Sequence, residues 1–292
     1  MTIEASAPAS GGSGAEPPKE QPLSSGAIQW ESIKLPAWLT GAIGGAAIII
    51  LWWMIATLYV APTGARPIPT PLAVVQSYLA SGWEYYWRNF SVTLVEAGIG
   101  YLWGNGIALI LAAIVLVVPR LEGLAMQLAI ITYCIPIVAV GMIAIVVIPA
   151  PGVGEPSGTA VLLAALSVFF TTVVGALLGL KSADRSSLDL ITVYGGSKFT
   201  QLVKVRLIAA LPAILNALQI AVPAAFLGAV LGEFFGKIEV GVGIAMILAQ
   251  QNSNAPLVWA LALASGAVAL LGFAVVGLIA RGIAPWSKGK PA

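Results

Sequence analysis

The chain has 292 residues, of which 59% are hydrophobic and 9% charged, with a formal net charge of +2. Soluble domains carry roughly 25% charged residues, so most of this chain cannot face water, and so small a net charge gives no footing for nucleic acid. The lone Cys134 allows neither a disulfide nor a thiolate cluster, and the lack of histidine removes the commonest metal ligand and the usual general base.

Residues 1–34 open the chain. From Ala5 to Ser25 they are Ala, Ser, Gly, Pro and Glu without apolar periodicity, which predicts a disordered cytoplasmic tail. The segment has neither the basic start nor the short apolar core of a signal peptide. Six apolar runs follow, each near the ~20 residues that cross a bilayer as a helix. They are Leu35–Val60 (a first transmembrane segment, 35–65), Phe90–Val118, Leu124–Ile148, Gly158–Leu180, Leu207–Phe235 and Pro256–Ala280. The fold class is therefore all-α and polytopic. Pro136 beside Tyr133 predicts a break in the third run, and Pro212 with Pro223 a kink or split in the fifth. Between the first two runs, Leu72, Val75 and Leu79 recur at helical spacing, and Trp83, Tyr85, Tyr86 and Trp87 suit the headgroup layer. A short helix lying on the outer membrane surface is expected over 71–82.

Lys and Arg orient the spans. With the N-terminus inside, Lys19, Lys34, Arg120, Lys181, Arg185, Lys198, Lys204, Arg206, Arg281, Lys288 and Lys290 fall on the cytoplasmic side, against Arg66, Arg88 and Lys237 outside. Eleven against three predicts both ends in the cytoplasm.

The polar stretch Lys181–Arg206 is then cytoplasmic. Ser186 followed by Asp189 fits a capping box, with Leu188, Ile191 and Val193 as apolar contact points. Gly195-Gly196 breaks that helix, and Ser197 caps a second one running through Phe199, Leu202 and Val203 into the fifth span. On its own the segment reads either as a lever or as an ordinary loop helix on the membrane surface.

Asp189-Leu-Ile-Thr-Val-Tyr-Gly195-Gly-Ser-Lys-Phe199, followed by Val205, Leu207, Leu211 and Pro212, resembles the EAA loop of binding-protein-dependent ABC importer permeases. Asp189 takes the Glu position, Leu190 and Ile191 replace the two alanines, Gly195 is in register, and Ile208 stands where a proline is usual. The likeness covers about residues 66–285 and is nearest the aliphatic sulfonate, taurine and nitrate branch. It rests there on Ile68-Pro69-Thr70-Pro71, Thr93-Leu94, Gly100-Tyr101, Phe169-Phe170-Thr171-Thr172, Gly232-Glu233-Phe234-Phe235-Gly236 and Gly241-Val242-Gly243. Glu96 departs from it, since that branch usually has Arg there.

The resemblance implies a type I ABC importer permease fold in a bacterial cytoplasmic membrane, with a core over 66–285 and a cytoplasmic end at 286–292. It implies a coupling segment over 184–200 in which Ser186, Ser187, Leu188, Asp189, Ile191, Tyr194, Gly195, Gly196, Ser197, Lys198 and Phe199 meet a separate ATPase subunit. ATP and Mg would sit on that partner, in keeping with the absence here of a Gly-x-x-x-x-Gly-Lys-[Ser/Thr] phosphate loop, so this chain carries no catalytic residue and no cofactor. A second permease subunit and an external solute-binding protein complete the assembly. The cargo would be sulfonate-, taurine- or nitrate-like, or a pyrimidine vitamin precursor or riboflavin.

Path candidates are Glu96, Tyr133, Pro136, Asn216, Gln219 and Glu233. Glu96 lies about 10 Å along the second span from Asn89 at 1.5 Å per residue, and should face protein or a watery cavity. It either lines the path or pairs with Arg88 or a base on a partner chain. Glu233 reads as gate-adjacent or as a solvated helix end. Asn105, Asn216 and Gln219 read as interhelical glue, and Gly98, Gly100, Gly104 and Gly106 as close-packing positions. An ion-gradient-driven transporter or channel is the competing class. It would want several buried ionisable groups, and Glu96 alone is plainly intramembrane. A membrane enzyme is disfavoured by the missing histidine and the lack of paired carboxylates within one turn of a span.

Overall fold

The computed structural model describes residues 36–59, 67–152, 154–236 and 238–286. The expected tail and Lys19, Lys34, Arg66, Lys237, Lys288 and Lys290 lie outside the described residues. The described chain is helical, in the order α1 (Ala37–Leu58), α2 (Pro71–Val117), α3 (Glu122–Cys134), α4 (Ile137–Val147), α5 (Gly158–Lys181), α6 (Arg185–Val193), α7 (Lys198–Gln201), α8 (Leu207–Phe235), α9 (Val242–Gln251) and α10 (Ala255–Ile283).

Up to Ala46 the structure describes the first part of α1, which starts as the Pro36 carbonyl accepts from the Leu39 N–H at 2.8 Å. From Ala47 onward α1 leaves most of its side chains exposed. Among the described residues five helices are long and apolar enough to span a bilayer, and α3 with α4 supplies a sixth if the bent pair is one span.

Several elements differ from the sequence expectation. The short helix expected over 71–82 is present as the first part of α2, where Thr70 Oγ1 accepts from the Ala73 N–H at 3.3 Å and Pro71 starts the helix. It ends at a kink at Gly82, with φ 74° and ψ 161°, beyond which the helix of the second span runs to Val117. The third span does break: α3 and α4 meet at 85° around Pro136. Pro136 has no N–H for the Thr132 carbonyl, and the ladder resumes when Ala139 donates to the Pro136 carbonyl at 2.9 Å. The fifth span is neither split nor interrupted by Pro212 and Pro223. The irregularity lies upstream, where Leu202–Arg206 form a π turn joining α7 to α8.

Helix α5 is the hub, and glycine and alanine set how closely its neighbours approach. A Cβ on Gly100 or Gly104 of α2 would strike Ala164 or Ala165 of α5. Gly175 and Gly179 of α5 lie against Ala217 and Ala210 of α8, and Gly228 and Gly232 of α8 against Leu163, Ala164 and Ala160 of α5. Lipid chains are as apolar as leucine, so such interlocking of small residues, not burial from water, holds membrane helices together. Gly98 and Gly106 have nothing within 4 Å of a Cβ and are not packing positions. Asn105 does act as glue, donating to the Tyr101 carbonyl at 2.8 Å while its Oδ1 accepts from the Thr172 hydroxyl of α5.

Candidate functional site

The segment between α5 and α8 is built as a stiff, exposed elbow. Helix α6 begins two residues earlier than a Ser186–Asp189 capping box requires. Asp184 holds the cap position, but the Ser186 hydroxyl donates to its carboxylate, and no backbone N–H is capped by a side chain. That hydroxyl holds the fully exposed Asp184 carboxyl below its usual range. After Val193 the chain turns through Gly195 at φ +75°, and a Cβ on Gly196 would strike Ile191. Ser197 then caps α7, its Oγ accepting from the Thr200 N–H at 3.2 Å. Gln201 Nε2 donates back to the Leu188 carbonyl at 3.2 Å and the Thr192 hydroxyl at 2.7 Å, locking α7 to α6.

Leu188 and Ile191 are half-buried, whereas Val193 turns outward and contacts little. Val193 and Tyr194 are each 82% exposed and Phe199 72%, so the elbow presents an apolar edge from both helices. Lys198 begins α7, and through the π turn the helical rise is unbroken to Phe235.

A second constellation lies where α2, α5, α8 and α9 converge. Glu96 of α2 and Glu233 of α8 are both 0% exposed. Glu96 Oε1 accepts from the Ser157 N–H at 2.6 Å, just ahead of α5. Glu233 Oε1 accepts from the Thr93 hydroxyl and Oε2 from the Gly243 N–H, each at 2.5 Å. One expected environment of each is removed. Glu96 is not paired with the exposed Arg88, and Glu233 is not a solvated helix end; their side chains adjoin each other. Among the described residues the ion pair is Lys181 with Glu122, at 2.5 Å.

At the α3–α4 break, a cavity of about 400 Å³ is lined by Thr132, Tyr133, Ile135, Pro136, Ser167 and Leu227 among others, none of them charged. The Tyr133 ring is 70% exposed and stacks on Phe170 of α5 with centroids 4.4 Å apart.

Residues 104–286 match the family described as binding-protein-dependent transport system inner membrane component. That span takes in the elbow, the break and Glu233. The chain belongs to this family. It is a transmembrane permease subunit of an ABC importer and resides in a membrane. The permease is 31% identical over 244 residues to a Haemophilus influenzae protein named "Probable ABC transporter permease protein", covering 82% of this chain and 94% of that one. It is 24% identical over 241 residues to the formylaminopyrimidine transport permease protein ThiX of Halalkalibacterium halodurans, covering 82% and 93%. To SsuC of Bacillus subtilis, named for aliphatic sulfonates transport, it is 28% identical over 252 residues, covering 85% and 88%.

The permease thus gathers its sequence-marked residues into three places. The elbow holds Ser186 to Phe199, the convergence holds Glu96 and Glu233, and the break holds Tyr133 and Pro136. Asn216 is exposed on α8 and belongs to none of them, and the Gln219 amide packs against Gly277 of α10. Sequence reasoning missed α9 as an element, although the Gly241–Gly243 signature marks its start.

Proposed function

We propose that two such permease subunits enclose a path in a bacterial cytoplasmic membrane, with both chain ends in the cytoplasm, and that the α6–α7 elbow of each docks on a separate ATPase. ATP and Mg bind on that partner. Closure of the ATPases brings the elbows together, and the continuous α8 transmits the movement to the path, which receives a small solute from an external binding protein. ATP binding needs to favour one of two packings by only a few kcal/mol. The carrying observation is the exposed apolar edge of Val193, Tyr194 and Phe199, rigidly tied by Gln201. Such an edge on a membrane protein's polar loop fits a protein partner.

For the cargo, the lack of charged residues around the cavity at the α3–α4 break favours an uncharged solute over an anion. The relative named for formylaminopyrimidine transport supports this more than the one named for sulfonates. Reconstitution with the ATPase and binding protein tests the docking. Tyr194→Ala with Phe199→Ala should weaken ATPase association at least about tenfold and abolish ATP-driven uptake, as loss of aromatic anchors does at other interfaces. Unchanged association and uptake would overturn the assignment of the elbow.

A further inference from the structure

The convergence of α2, α5, α8 and α9 holds two carboxyl groups that the docking elbow does not use, and its hydrogen bonds do not balance as drawn. Three of the four carboxyl oxygens accept from a fixed donor: Ser157 N–H, Thr93 hydroxyl and Gly243 N–H. The fourth, Glu96 Oε2, is buried and accepts from no N–H or hydroxyl. Yet the two side chains are neighbours: Thr93, one turn before Glu96 on α2, donates to Glu233, and Ser157, whose N–H Glu96 accepts, lies against Gly236, about one turn beyond Glu233. An ionised carboxylate has only acceptor oxygens, so two carboxyls bond to each other only when one carries a proton. Two ionised carboxylates pressed together away from water would repel strongly, as the low dielectric magnifies the interaction.

No described cation offsets that repulsion. The charged groups on the surrounding elements are Glu84 and Arg88 on α2, Glu155 ahead of α5, Lys181 at the far end of α5 and Glu239 between α8 and α9, and all of them are exposed. The nearer polar groups, Asn89, Thr93, Ser157 and Thr159, are uncharged. Gly241 packs directly on Glu233, where a Cβ would lie 2.6 Å from the carboxyl carbon. Among the described residues no third His, Cys, Asp or Glu joins the pair. Lys237 lies outside the described residues.

We propose that Glu96 and Glu233 bind one proton between them, as an acid–carboxylate pair that latches the start of α9 onto α2 and α8. Three successive N–H groups at the start of α9 depend on this cluster. Gly241 donates to Asn89 Oδ1 at 3.2 Å, Val242 to Thr93 Oγ1 at 3.0 Å and Gly243 to Glu233 Oε2 at 2.5 Å. Removal of the proton puts two negative charges in contact, and separating α2 from α8 relieves them. That separation frees the start of α9. The sign follows from linkage: glutamates of the unfolded chain ionise freely, whereas the folded pair retains its proton. Raising the pH therefore favours unfolding.

Infrared spectroscopy of the full-length chain in lipid nanodiscs at neutral pH tests the proposal without any variant. The carbonyl stretch of a protonated carboxylic acid is expected in the wild type and absent from Glu96→Gln/Glu233→Gln. In Glu96→Gln alone the amide N–H takes the place of the proton. The melting temperature of this variant is expected to stay flat from mildly acidic to alkaline pH, while that of the wild type falls. Absence of the protonated-acid band in the wild type would overturn the proposal. So would a Glu96→Gln variant whose melting declines with pH as steeply as the wild type's.

Discussion

Gln201 reaches from α7 across the glycine turn to the Leu188 carbonyl and the Thr192 hydroxyl of α6, at 3.2 and 2.7 Å. Neither bond lies within a helix ladder, so one amide decides whether α6 and α7 move as one body. Gln201→Leu keeps the bulk and removes both bonds, each worth roughly 0.5–1.5 kcal/mol. We expect membrane insertion and thermal stability near those of the wild type, and several-fold less solute moved per ATP hydrolysed in the reconstituted importer. An unchanged ratio of uptake to hydrolysis would show that the elbow does not need to be stiff.

Gly195 sits at φ +75° with open space around it, so backbone conformation alone restricts the residue here. Valine in the left-handed region costs about 1–2 kcal/mol or more, whereas asparagine visits it readily. Gly195→Val should lose most ATP-driven uptake at equal expression, and Gly195→Asn should keep most of it. Equal uptake by the two variants would separate function from this turn.

Gly232 lies on α8 where a Cβ would come 2.9 Å from the Ala160 nitrogen and 3.1 Å from its Cβ. Gly232→Ala should destabilise the permease by about 1–3 kcal/mol through overpacking of α5 against α8. Gly98→Ala, with nothing within 4 Å, should be neutral or slightly stabilising. Thermal unfolding of the purified chain in one detergent compares them directly.

Thr93 donates to Glu233 and accepts from the Val242 N–H, and is itself wholly buried. Thr93→Val keeps the shape but leaves both partners unpaired, at about 1–3 kcal/mol. Thr93→Ser should recover most of that loss. A valine variant as stable as the serine variant, measured by melting temperature, would show that α9 is held by its apolar contacts alone.

The spans were legible because a bilayer demands long apolar runs. The break was legible because Pro136 lacks a donor inside one of them. The Ser197 cap was also readable, since its hydroxyl needs only a residue three positions away. The carboxyl pair was not. Glu96 and Glu233 sit on different helices far apart in the chain, so each alone looks like a single polar mark. The interlock of Gly100 with Ala164 and of Gly232 with Ala160 on α5, with the Thr93–Glu233 bond, brings them together. Helix α9 escaped notice because its ten residues are too short to span a bilayer and its start is held by side chains of α2 and α8. The apparent capping box failed because the Ser186 hydroxyl is engaged with Asp184 instead of the helix backbone.

The 85° bend at Pro136 also bears on how lipid surrounds the permease. The Thr132 carbonyl has no helical donor there, and a bare carbonyl in hydrocarbon costs several kcal/mol. Acyl chains therefore cannot wet this stretch, although Ile131, Tyr133 and Ile135 around it are apolar and exposed in the single chain. The expected consequence is a gap in the lipid annulus at the joint between α3 and α4, filled by water or by another protein surface. Brominated acyl chains that quench Trp103, exposed on α2, should leave a tryptophan placed at Tyr133 bright.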